Sequence, residues 1–175
     1  LTDLPVDVDA FLLSPDGQRV ALQASAYPEC GSDLACTKKK TDAKPASSGV
    51  VFDHVFIRHW DTWADGRLNR LFVAPLGAQM ATTATLVGAD LIADVPSKPF
   101  GDLGDVAWAP DGKSLVVSAR LSNGVEPTST NFDLYRLQAD GQGKAQNLTA
   151  ANPAWDAGPV FSADGKTLYY RAMKR

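Results

Sequence analysis

The chain has 175 residues, 45% hydrophobic and 21% charged, with a net charge of −3 and a sequence pI near 5.3. That composition is enough for one globular domain with a real core, and it excludes a phosphate-binding nucleic-acid surface, which needs clustered lysine and arginine. No apolar run approaches the ~20 residues that a membrane-spanning helix requires, and no secretory leader is recognisable.

The chain opens on Leu1 rather than Met, so a processed or truncated N-terminus is expected. The first pattern is Phe11-Leu-Leu-Ser-Pro-Asp-Gly-Gln-Arg-Val-Ala-Leu-Gln-Ala24, which reads as strand, Asp-Gly turn, strand. Next come Cys30 and Cys36. Two thiols do not make a closed zinc site, and the two histidines, His54 and His59, lie elsewhere, so no metal or cofactor is expected. The spacing is not that of a redox Cys-x-x-Cys pair, and Gly31 and Ser32 allow a short disulfide loop, which is favoured over free thiols. A disulfide implies an oxidising compartment, periplasmic or extracellular. Lys38-Lys39-Lys40 reads as a solvated loop, and His54 as a hydrogen-bonded structural residue in a strand-like run. Asp65-Gly66 reads as a turn.

Further along, Asn69–Leu76 and Thr85–Gly88 read as a second hairpin. The opening pattern returns at Val106-Ala-Trp-Ala-Pro-Asp-Gly-Lys-Ser-Leu-Val-Val-Ser-Ala119, followed by a strand at Asn131–Gln138, a turn at Asp140-Gly141 and a short strand at Gln146–Thr149. Asn147-Leu-Thr149 matches a glycosylation acceptor but falls where the repeat wants a strand. The pattern returns once more at Pro159-Val-Phe-Ser-Ala-Asp-Gly-Lys-Thr-Leu-Tyr-Tyr-Arg-Ala172.

Leu13, Trp108 and Phe161 hold matching positions before the three turns, and Val20, Leu115 and Leu168 hold matching positions after them. The runs Leu115–Val117 and Leu168–Tyr170 are apolar on both faces, as in strands packed between neighbouring sheets. Asp111 and Asp164 are 53 residues apart and Asp16 and Asp111 are 95 apart, so the first unit carries an insertion. Two hairpins per unit at this period predict an all-β fold, a partial β-propeller of four-stranded antiparallel blades. Blade 1 is expected at about 8–90 with an insertion at about 25–67, blade 2 at about 104–150, and the first hairpin of blade 3 at about 158–173. A β-sandwich is the structural alternative. An open arc exposes faces and edges, so the chain is expected to continue into a larger protein or to associate with itself.

The Ser-Pro-Asp-Gly hairpins resemble blades of the translocation protein TolB and of prolyl oligopeptidase family propellers. Phe56-Ile-Arg-His-Trp-Asp-Thr-Trp-Ala-Asp-Gly-Arg-Leu-Asn-Arg-Leu-Phe-Val73 and the stretch from Ala26 to Lys40 resemble dipeptidyl peptidase V-like and acylaminoacyl-peptidase-like members of that family. The resemblance implies a propeller that gates and orients peptide substrates for a C-terminal hydrolase domain carrying a Ser-Asp-His triad. No Gly-x-Ser-x-Gly occurs in this sequence, so no catalytic residue carries over and the chain alone is expected to be inactive.

His59, Trp60, Asp61 and Trp63 are the candidate residues for a substrate mouth. The structural alternative is tryptophans packed on the blade with Asp61 paired to Arg58 or Arg67. Glu29 is an acidic candidate for a peptide amine, or a solvated loop residue. The competing function is a stand-alone TolB-like binding scaffold. An enzyme working from a propeller channel would need a metal cluster or paired carboxylates, and the sequence offers neither.

Overall fold

The computed structural model describes residues 2–44, 47–52, 55, 57–122 and 126–174. Its framework starts from three turns built by the same local chemistry. Ser14 Oγ donates to Asp16 Oδ1 at 2.6 Å and accepts from Arg19 N, while Asp16 Oδ1 also accepts from Gln18 N at 3.0 Å. Ser162 and Asp164 repeat this arrangement with Thr167 and Lys166. In the middle copy Ala109 replaces the serine, and Asp111 still accepts from Lys113 N at 2.9 Å. The residue after each aspartate, Gly17, Gly112 or Gly165, has φ between 67° and 71°, where a side chain would be strained. In all three hairpins the matched residues face each other: Leu13 pairs with Val20, Trp108 with Leu115 and Phe161 with Leu168.

The described residues form twelve strands. In chain order they are β1 (Ala10–Leu13), β2 (Arg19–Ala26), β3 (Arg58–His59), β4 (Thr62–Trp63), β5 (Leu68–Pro75), β6 (Thr85–Leu86), β7 (Val106–Trp108), β8 (Ser114–Ala119), β9 (Asp133–Gln138), β10 (Gln146–Asn147), β11 (Asp156–Phe161) and β12 (Leu168–Ala172). Strands β1-β2-β5-β6 form one antiparallel sheet and β7-β8-β9-β10 a second of the same plan. β11 and β12 pair as a third hairpin, with a register shift between Ala157 and Val160. β3 and β4 form a separate small hairpin. The fold is therefore all-β in its framework.

The sheets stack in chain order. Ala21, Leu71 and Val73 of the first sheet share a core with Val106, Trp108, Leu115, Val117 and Leu137 of the second. The opposite face of the first sheet, Val20, Leu22, Phe72 and Ala74, is covered by Leu4, Val6 and Val8 of the N-terminal segment and by Leu34. Full burial of such a side chain stabilises by ~1.5–3 kcal/mol, so the strands buried on both faces carry most of the framework's stability. On the far face of β8, Ser118 Oγ donates to the Asp156 carbonyl at 2.6 Å and ties the third hairpin to the second sheet. The first two turns are joined as well: Arg19 reaches the Gly112 carbonyl at 2.6 Å and lies over Trp108, whose indole N–H donates to Leu12 O.

Three expectations need correction. Lys38–Lys40 is not loop but part of a helix, α1 (Leu34–Asp42), started by Asp33, whose carboxylate accepts from Cys36 N at 2.8 Å, and braced by the Lys38–Asp42 ion pair. The apolar run on β12 is exposed, Tyr169 at 61%, because no further sheet covers that face among the described residues. Neither guanidinium named for Asp61 pairs with it: Arg67 binds Asp65 at 2.6 Å and Arg58 lies over Trp63. The Asn147-Leu-Thr149 stretch is engaged in packing, with the Asn147 amide donating to Asp133 and the Thr149 hydroxyl accepting from Leu134 N.

Candidate functional site

β2 and β5 pair along eight positions from Arg19↔Pro75 to Ala26↔Leu68, so the chain leaves the sheet after Ala26 and re-enters beside its point of departure. The excursion, residues 27–67, is held to the sheet at a few points. Pro28–Cys30 forms a single 3₁₀ turn, and a disulfide joins Cys30 to Cys36 in α1. Leu34 is buried against the first sheet, and the Ser32 hydroxyl accepts from Leu86 N at 3.0 Å. The small hairpin β3–β4 follows.

Between this excursion, the connection at 89–105 and the segment around Glu126 lies a cleft of about 920 Å³. Glu29, Trp60 and Trp63 all line it, and Asp61 does not. Trp63 is 56% exposed, stacks on Phe52 at 5.8 Å and carries the Arg58 guanidinium at 5.5 Å. Trp60 is 71% exposed and meets the ring of Phe100 edge-on at 5.3 Å. Its φ is 50°, a conformation uncommon for a bulky residue. Asp61 sits at the hairpin tip and accepts from the Thr62 hydroxyl at 3.4 Å. The His59 backbone pairs with Thr62, but its side chain lies outside what is described, as does all of His54.

The ionic groups of the cleft are mostly paired. Glu29 binds Lys40, and that hydrogen bond holds its carboxyl below the usual range. Burial pushes the Asp65 carboxyl up, but the Arg67 guanidinium and amide more than offset this and leave it lowered. Lys98 bridges Asp94 at 3.2 Å and the Arg67 carbonyl at 3.1 Å. Glu126, half-buried in the 3₁₀ turn Glu126–Thr128, has no hydrogen-bond or ion-pair partner among the described residues. Among those residues no group of three or more His, Cys, Asp and Glu is placed to hold a metal.

Phe52, Asp65, Arg67 and Glu126 line the cleft and were not among the residues expected there, and Phe100 supports it through the Trp60 ring. Asp65-Gly66 was legible as a turn, and Gly66 does take φ 90°, but its ionic role follows from Arg67 folding back onto it. Nothing local marks Glu126, which reaches the cleft from beyond the second sheet's central strand.

No family model matches the chain. It is similar to proteins named dipeptidyl-peptidase 5: 30% identical over 179 residues to that of Porphyromonas endodontalis, covering 100% of this chain and 24% of the relative. The Porphyromonas gingivalis protein is 27% identical over 96% of the chain, and the Arthroderma otae protein 25% identical over 97%. The chain spans about a quarter of the length of these relatives.

Proposed function

We propose that the chain is the non-catalytic, N-terminal propeller part of a periplasmic or secreted serine exopeptidase of the prolyl oligopeptidase type, and that it gates and orients peptides for a hydrolase domain. The cleft carries this reading: an aromatic-walled cavity built by an insertion on a sheet framework, on a chain whose relatives are named dipeptidyl-peptidase 5. Concave, partly apolar sites with a few placed polar groups are where ligands bind. Two four-stranded antiparallel sheets and a third hairpin, stacked in chain order with the same turn in each, suit blades of a propeller. The Cys30–Cys36 bridge supports an oxidising compartment.

The chain's part in catalysis is steric and electrostatic. Trp60 and Trp63 present apolar surface to a peptide, and the cleft's carboxylates favour positive charge over negative. The test is Trp60→Ala in the full-length gene product. The Michaelis constant for peptides should rise several-fold while the melting temperature stays within the small range of a surface substitution. An unchanged constant returns Trp60 to a packing role and removes the gating reading.

A further inference from the structure

Among the described ionic groups of the cleft, Glu126 stands open. Asp65 is paired with Arg67, Asp94 with Lys98 and Glu29 with Lys40. The cations that line a small pocket with Glu126 are committed elsewhere: Lys98 to Asp94 and the Arg67 carbonyl, Arg120 to the Ser129 carbonyl at 3.1 Å and the Phe132 ring at 5.1 Å. Among the described aromatics of the cleft, Trp60 is the more open. Trp63 is taken by Phe52 and Arg58, whereas Trp60 meets only Phe100 among the described residues.

The molecule shows what such a pair of groups accepts. In the same insertion Lys40 lies 4.5 Å from the centre of the Tyr27 ring while its ammonium binds Glu29. One ammonium lies over the ring and binds the carboxylate, both at once. Trp60 and Glu126 offer the same two kinds of partner, on different elements lining one cleft, and no described cation is paired with either.

We infer that Trp60 and Glu126 form a subsite for a basic side chain, lysine or arginine, of a bound peptide. The inference rests on the peptide-orienting reading and adds a specificity to it. A cation on a long side chain can reach the open indole and the open carboxylate while its backbone stays outside the pair, whereas a peptide's terminal ammonium must bring its own backbone with it.

The experiment is calorimetric titration of the full-length gene product with three peptides: acetyl-Ala-Lys-Ala-amide, its norleucine counterpart with the same blocked ends, and the norleucine peptide with a free amino terminus. The lysine peptide should bind about tenfold more tightly than the blocked norleucine peptide, the scale of a partly desolvated cation–π contact plus a charge-assisted hydrogen bond. Glu126→Gln should abolish that preference, Trp60→Ala should reduce it, and Trp60→Phe should restore part of it, with melting curves showing that each variant is folded. Equal binding of lysine and norleucine peptides, or no binding of any probe at millimolar concentration, overturns the subsite. A Glu126-dependent preference for the free amino terminus also overturns it, because the cation is then the chain end. The Michaelis constant of Trp60→Ala for uncharged peptides judges the wider reading separately.

Discussion

The first sheet and the insertion that rises from it are made of the same chain but held together differently. Phe72, Val20 and Leu71 in the sheet are essentially inaccessible, and the central strands β2 and β5 are laddered on both edges and packed on both faces. The described residues of 27–67 are tied by the Cys30–Cys36 disulfide within the segment, by buried Leu34 and Thr37, by a serine–amide bond and by aromatic pairs whose tryptophans stay largely exposed. The difference teaches where function resides. Side chains spent on packing are unavailable to ligands, whereas exposed tryptophans on a lightly tethered hairpin are free to meet them.

The comparison is broken most forcefully at Phe72. Phe72→Ala should destabilise the chain by ~3–5 kcal/mol, read as a large drop in melting temperature. A loss confined to the insertion would mean that the sheet is not the load-carrying region. Replacing Cys30 and Cys36 together by alanine should cost less, about 2 kcal/mol, with amide-exchange protection lost in α1 and kept in β2 and β5. Protection lost throughout would show that the insertion supports the sheet.

A smaller, pH-dependent effect is expected at Asp105. Burial raises its carboxyl above the usual range, against the Gly158 N–H bond that lowers it. A raised folded value favours folding below the unfolded carboxylate range, and that contribution disappears as pH rises through the folded value. Asp105→Asn keeps an acceptor for Gly158 and buries no charge. It should therefore melt above the parent at neutral pH, with the gap closing as pH falls below the carboxylate range. A gap that widens on acidification would contradict the sign. The smallest effect belongs to Trp63→Ala, within about 0.5 kcal/mol, as for an exposed side chain. A loss several times larger would place Trp63 among the packing residues.

How much of this was legible follows the range of the interactions. Ser14-Pro-Asp-Gly17 and its two copies close on hydrogen bonds between residues two to five apart, so the hairpins and even the facing pairs Leu13–Val20 and Trp108–Leu115 could be read from the sequence. The helix was missed although Asp33 stands three residues before Cys36 as its cap, because the lysine run drew the reading to a loop. The burial expected of β12 depended on a neighbouring sheet that no residue of the pattern itself supplies. At the cleft, Glu29, Trp60 and Trp63 were picked out by residue type within a short stretch. Phe100 and Glu126 were not, since Phe100 meets Trp60 and Glu126 joins the cleft only once the 89–105 connection and the loop after β8 have folded beside the insertion.

The intact mass of the native gene product from its source cell tests the central claim most directly. The relatives are about four times as long as this 18.6 kDa chain, so a peptidase of that kind should have a mass several times larger and should contain a Gly-x-Ser-x-Gly downstream of residue 175. A mass near 18.6 kDa would contradict the account and leave the stacked sheets to stand alone as a binding scaffold.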